Sequence, residues 1–183
     1  MRWCLSDSFD VRALPLADRH YNRRKIGSPQ FAPPGRRLVL LTADASAFWI
    51  TSYPFAEYVR HRWGGAWVCS AFRNEGSERS SDLIVDALAA TRSIWEPPRI
   101  ATWIIVSRRP DRTIVERGEV AMVTFVDRNK VRRKRDPGRC YRRAGFEEIG
   151  QTEGGLVALG IRTERMPPAR AAVGAQLALV THA

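Results

Sequence analysis

A strand that ends in "FRNEG" (72–76) and feeds a helix N-terminus aims free backbone N–H groups at one point, which suits an anion such as a phosphate. The stretch carries a single glycine, Gly76, so its spacing fits an ordinary strand-to-helix loop as well. A second stretch, "CYRRAGFEEIG" (140–150), places Tyr141 four residues ahead of Gly145. Pro137 suits a first helical position and Gly145 the left-handed residue that ends a helix. A short helix over 137–144 is therefore expected, with Phe146 turning inward and a strand after it. A helix stop accounts for the glycine but not for Tyr141 on the same helical face.

Two basic clusters accompany these stretches. Residues 128–143, "RNKVRRKRDPGRCYRR", hold nine Lys/Arg and one Asp, and "RHYNRRK" (19–25) mixes bases with an aromatic ring. The chain of 183 residues carries 30 Lys+Arg against 19 Asp+Glu, a net charge of +11. Such an excess favours a polyanionic partner, nucleic acid ahead of a membrane surface. Arg23, Arg24, Lys25, Lys130, Arg132, Arg133, Lys134 and Arg135 are the candidate phosphate contacts, and Tyr21 or Phe72 can stack on an extruded base. Either cluster alone also reads as a solvated charged face. Three cysteines without a CxxC pair, and no secretory pattern at the N-terminus, point to reduced thiols in a cytosol. No run approaches the length of a membrane helix, so no membrane partner is expected. No His/Cys spacing resembles a zinc site, and a single iron held by scattered ligands is left open.

The elements that must position these residues follow from apolar pattern and punctuation. Residues 1–34 read as irregular, broken by Pro15, Pro29, Pro33 and Pro34. "RRLVLLTAD" (36–44) and "AFWITSY" (47–53) read as a hairpin, "FAEYVRHRW" (55–63) as a short helix or loop, and "GAWVCSAF" (65–72) as a buried strand. Within 73–95, Ile84, Ala87, Leu88, Thr91 and Ile94 recur at helical spacing, with Ser80 or Ser81 as the expected cap and Asp82 in the first turn. "TWIIVS" (102–107) and "TIVERG" (113–118) read as two strands around an Arg-Pro-Asp turn, "VAMVTFVD" (120–127) as a buried strand and "GGLVALGI" (154–161) as the last one. From Met166 the chain reads as a tail with a weak strand at 176–181. This order predicts a mixed α/β domain.

A strand, an Arg-x-x-Gly turn, a capped helix, a further strand and a short helix carrying Tyr-x-x-Ala-Gly-Phe together resemble the GCN5-related N-acetyltransferase superfamily over roughly 36–161. The resemblance implies a mostly antiparallel central sheet with flanking helices, an acyl-CoA pyrophosphate on the first turn and Tyr141 as a general acid near the leaving thiol. Ser70, Phe72, Arg73, Asn74, Glu75, Gly76 and Ser81 then become the donor-binding candidates. The turn departs from the family pattern: it lacks the second glycine and runs two residues longer before Leu83. Residues 99–119 look like an inserted hairpin.

A narrower resemblance rests on "DRHYNRRKIGSPQFAPPG" (18–35), "AFWIT" (47–51), "CSAFRNEG" (69–76), "MVTFVD" (122–127) and "PGRCYRRAGF" (137–146). These blocks, in this order, resemble the Mom proteins of Mu-like phages, an acetyltransferase-like branch that adds a carbamoylmethyl group to N6 of adenine in DNA and so protects it from restriction. The resemblance implies double-stranded DNA as partner, with tRNA as a second candidate, in the cytoplasm of a bacterial host cell. It divides the chain into a substrate-facing arm (1–35), an acetyltransferase-like domain (36–165) and the tail (166–183). An exocyclic amine conjugated with its ring is a poor nucleophile and needs a base, for which Asp127 is the first candidate and His20 the second. Asp127 also suits a turn cap or a partner for the basic loop, His20 a metal ligand or a plain loop histidine, and Glu75 either a base or a partner for Arg73. Ser70 and Thr124 are candidate donors to the acyl carbonyl. The donor is acetyl-CoA or another acyl-CoA, or a glycyl donor such as glycyl-tRNA. Two other functions stay open: an acetyltransferase for a small-molecule or protein amine, and a non-catalytic basic DNA-binding module.

Overall fold

The structure, a computed structural model, describes residues 1–131 and 136–174. Strict alternation in β2 (Arg36–Thr42) and β3 (Ala47–Tyr53) sends Leu38, Leu40, Ala47 and Trp49 to one face and Val39, Leu41, Phe48 and Ile50 to the other. Both faces are buried, so both must be covered. The two strands belong to a seven-stranded sheet in the order β1 (Trp3–Ser6), β2, β3, β4 (Trp67–Asn74), β7 (Met122–Val126), β9 (Val157–Ile161), β8 (Glu147–Gln151), in which every neighbouring pair is antiparallel except β4 and β7. That parallel pair is joined through α2 (Ser80–Arg92), as a crossover requires. The chain is thus mixed α/β with a large, mostly antiparallel sheet.

On one face Trp3, Leu40, Trp49 and Trp67 pack with Leu83, Ile84 and Leu88 of α2 and with Phe146 after α3 (Arg139–Arg143). On the other face the cover comes in two pieces. The N-terminal segment and α1 (Leu14–Asp18) bury Leu16 and Ala17 against β2 and β3. A separate two-stranded ribbon, β5 (Ile100–Arg108) with β6 (Thr113–Val120), buries Ile104 and Val120 against Trp63, Val123, Ile149 and Ala158. The inserted hairpin of the sequence is therefore half of one covering layer.

The N-terminus corrects the irregular reading. β1 (Trp3–Ser6) pairs antiparallel with β2, and Trp3, fully buried, donates its Nε1–H to the Leu83 carbonyl at 2.8 Å. The tail also packs: Met166 and Ala172 are buried, Arg92 donates to the Met166 and Pro167 carbonyls, and Val173 bridges to Cys4. Asp86 of α2, 4% exposed, pairs with Arg2 at 2.8 Å and with Arg170, so both chain ends are clasped to one buried carboxylate. Asp86→Ala is expected to loosen both ends at once, raising hydrogen exchange at Trp3–Ser6 and at 170–173 while the centre of the sheet stays protected. The weak strand expected at 176–181 lies outside the described residues. Among the described residues no helix is long and apolar enough to cross a membrane. β8 (Glu147–Gln151) and β9 (Val157–Ile161) complete the sheet as expected from 147 onward and from "GGLVALGI".

Candidate active site

β4 and β7 pair only from Trp67↔Met122 to Cys69↔Thr124, yet β4 continues to Asn74 and β7 to Val126. Beyond Cys69 the two parallel strands part. A β-bulge opposite Ile50/Thr51 prepares this opening: Ile50 pairs with Ala71 and Thr51 with Cys69, leaving Ser70 as the extra residue. The bulge breaks the alternation, so Cys69 and Phe72, three residues apart, both face α2 and α3.

Tyr141 of α3 points into the opening. Gly145, at φ 100°, ends the helix in the left-handed region and donates to the Arg142 carbonyl at 3.1 Å, while the Phe146 N–H reaches the Tyr141 carbonyl at 3.1 Å. This is a Schellman motif, and its usual apolar contact is here the Tyr141–Phe146 ring pair, with centroids 5.5 Å apart. Phe72 meets the Tyr141 ring edge-on at 6.2 Å. The Tyr-x-x-Ala-Gly-Phe spacing is thereby explained: the helix stop itself fixes the tyrosine. The hydroxyl lies 3.5 Å from the Cys69 sulphur, at the point where β4 and β7 separate. Burial, reinforced by the neighbouring Cys69 and Cys140, holds the phenol well above its ordinary pKa. The phenol therefore keeps its proton at neutral pH. Burial also pushes the Cys69 thiol up to about 12, which removes it as a nucleophile at neutral pH.

A cavity of about 580 Å³ opens in front of Tyr141, lined by Phe72, Arg73, Asn74, Ser80, Val126, Lys130, Gly138 and Cys140 together with His20 and Tyr21. Its α2 side is organised by Asn74, whose side chain accepts from the Gly76 N–H at 2.9 Å and donates to the Glu78 carbonyl at 2.7 Å and to Ser80 Oγ at 3.1 Å. Ser80 and Ser81 are not the cap expected of them: the N-cap is Arg79, extended and without a side-chain cap, and buried Ser81 bonds Asp82 outside the cavity lining. The turn is buttressed from β2–β3, where the Ser46 carbonyl accepts from the Glu75 N–H at 2.9 Å. A Cβ on Gly76 would lie 2.4 Å from Ser46 Oγ, so close approach is what this glycine provides.

The arm enters the opening from the opposite side. Arg19 and Arg73 both grip Glu75: Arg19 reaches its two oxygens at 2.8 and 2.6 Å, and Arg73 Nε reaches one of them at 2.6 Å. These pairs hold Glu75 down at about 2 and make it a latch for the arm, not a base. His20 stacks on Tyr21 at 4.7 Å, its Nδ1 accepts from the Asn22 N–H at 3.3 Å, and its ring lies beside the Phe72 backbone of β4. The Tyr21 hydroxyl donates to the Phe125 carbonyl of β7 at 3.3 Å, and Lys130 Nζ donates to the Tyr21 carbonyl at 3.4 Å. One arm residue thus contacts each of the parted strands. Tyr21 is therefore a wedge with its hydroxyl engaged. Asp127 follows the lining residue Val126 in sequence but does not itself line the cavity; its Oδ1 accepts from the Asn129 and Lys130 N–H groups at 2.9 and 3.2 Å, and its Oδ2 has no hydrogen-bond partner among the described residues.

Other expected residues go elsewhere. Ser70, the bulge residue, contacts Ser52 Oγ and lines a second cavity on the arm side with Arg23, Arg24 and Lys25. Thr124 Oγ1 donates to the Cys69 carbonyl at 3.2 Å. Arg132, Arg133, Lys134 and Arg135 lie outside the described residues. Arg19 and Cys69 are site residues that sequence reasoning missed; Arg19 stands in the "RHYNRRK" cluster, whereas Cys69 gives no signal inside an apolar strand. For iron, the donor set does not fit: His20 Nδ1 is taken by the Asn22 N–H, and among the described residues no three His, Cys, Asp or Glu side chains come together.

Burial, with the Arg73 charge second, pushes His20 down to about 4 from an ordinary 6.5. The unfolded chain then binds a proton that the folded one refuses, so stability falls as pH drops from about 6.5 to 4, with a slope of at most about 1.4 kcal/mol per pH unit for one proton. His20→Gln is expected to remove that part of the slope in urea unfolding measured across this range; an unchanged slope would place the titration elsewhere.

Comparisons with protein-family models, with curated proteins and with solved structures find no match to this chain.

Proposed function

We propose that the chain is an acetyltransferase-like DNA-modifying transferase that adds a carbamoylmethyl group to N6 of adenine. The observation that carries this reading is the Tyr141 hydroxyl, kept protonated, at the vertex of two parting parallel strands that open onto a cavity. In that arrangement the parted edge of β4 receives an acyl group, and the adenine amine attacks its carbonyl carbon. The new N–C bond forms as the bond to the leaving sulphur or oxygen breaks. Asp127 Oδ2 takes the amine proton and Tyr141 supplies one to the leaving group. The net charge of +11 suits a nucleic-acid substrate better than a small amine.

The turn at 74–80, closed on itself by Asn74 and bearing one glycine, is not the double-glycine cradle of an ordinary acyl-CoA enzyme, which favours glycine activated as a thioester or on tRNA. A glycyl adduct and a carbamoylmethyl group are isomers, so the second step is an internal rearrangement without a co-reactant: the N6–acyl bond and the glycine N–Cα bond break, and an N6–Cα bond and a primary amide N–acyl bond form. Cells fed glycine labelled with carbon-13 and nitrogen-15 should place both labels together in the side group of the modified adenine. Carbon label alone, or none, rules out transfer of intact glycine.

DNA binding has its own test. Neutralising Arg132, Arg133, Lys134 and Arg135 is expected to weaken binding and to lower the slope of log affinity against log salt by about 0.9 for each phosphate that is no longer neutralised. An unchanged slope means that this loop does not touch DNA. Plasmid DNA from cells making the protein should resist restriction enzymes that read adenine, and full cleavage there counts against the assignment.

A further inference from the structure

On the arm side of the sheet lies a second cavity of about 480 Å³, within the size range of ligand sites. Its lining joins three kinds of group. Phe31, backed edge-on by fully buried Phe48 with ring centroids 6.2 Å apart, gives it an apolar wall. Gln30 and Ser70 add hydrogen-bonding side chains, and Arg24 and Lys25 add exposed cations that have no ion-pair partner among the described residues. The loop that carries them is held in shape. The Arg23 guanidinium pairs with Asp18 at 2.8 Å and donates to the Ser28 and Gln30 carbonyls, while Asp18 Oδ2 accepts from the Gly27 N–H at 2.9 Å. Pro29, Pro33 and Pro34 stiffen it further. This cavity and the one before Tyr141 share a single lining residue, His20.

We infer that the arm-side cavity seats one nucleotide unit, its flat ring against Phe31, its ring edge toward Gln30 and its phosphate on Arg24 and Lys25. The acceptor then approaches from the arm side and the acyl donor from the Tyr141 side, with neutral His20 as the partition at which they meet. The inference extends the transferase reading, but its test needs no turnover.

The probe is 2′-deoxyadenosine 5′-monophosphate, titrated into nitrogen-15-labelled protein. Backbone shifts are expected at 22–34 and at Ser70 and Ala71, saturating in the millimolar range or below. Arg24→Ala and Lys25→Ala should each weaken binding by roughly fivefold to tenfold, as expected for removing one charge-assisted hydrogen bond. Both side chains are exposed, so neither change threatens the fold. No shifts at millimolar probe, or shifts confined to Phe72–Asn74 and Gly138–Tyr141, overturn the inference. Equal affinity for ribose 5-phosphate overturns the part that concerns the ring. If the probe binds here while cells make no modified nucleoside, the cavity stands and the transferase reading fails.

Discussion

Tyr141→Phe is expected to lower modification roughly 10²–10⁴-fold, the usual worth of a positioned general acid. The fold should survive. The phenylalanine ring keeps its packing against Phe72 and Phe146, and the Gly145–Phe146 stop that aims it is backbone. The substitution removes only the hydroxyl's approach to the Cys69 sulphur at 3.5 Å, a weak acceptor whose removal costs about 1 kcal/mol or less. The check pairs a turnover assay with a urea unfolding curve on the same preparation. Modification at the wild-type rate by a folded Tyr141→Phe protein removes the acid role, and with it the reason for reading the parted strands as an acyl site.

Trp3→Ala should destabilise the protein by roughly 3–5 kcal/mol, the range for emptying a fully buried aromatic site. The indole fills space between β1 and α2 and satisfies the Leu83 carbonyl, and the Trp3 carbonyl receives the Val173 N–H at 2.9 Å. Its loss therefore opens a cavity, removes the second hydrogen bond to a carbonyl inside α2 and frees the strand that anchors the tail. A shift in the urea midpoint worth less than about 1 kcal/mol would mean that the first strand is peripheral. The same variant bears on the site, because β1 is followed by the arm that carries His20 and Tyr21 into the opening between β4 and β7.

The part of the fold legible in the sequence is the part written in local patterns. β2, β3, β4, β7 and β9 announce themselves by apolar alternation or continuous apolar runs, α2 by its stripe, and the end of α3 by Gly145. Other features escape for physical reasons. β1 has four residues and one fully buried side chain, too little to show a period, and α1 begins around Pro15, which reads as a breaker but here occupies a first-turn position. Ser70 falls on the donor side when alternation is carried straight through β4; the bulge shifts the count by one and turns Ser70 to the arm side. Glu75 reads as a possible base because its second partner, Arg19, lies 56 residues away and leaves no local trace. Tyr141 escapes neither reading, since the same glycine that stops its helix also fixes its ring.

The central claim is chemical, and nucleoside mass spectrometry tests it most directly. DNA from cells making the wild-type chain, digested to nucleosides, should contain deoxyadenosine heavier by one carbamoylmethyl group, and DNA from cells making Tyr141→Phe should contain almost none. Wild-type DNA with only unmodified deoxyadenosine, or with the added mass on another base, would contradict the account.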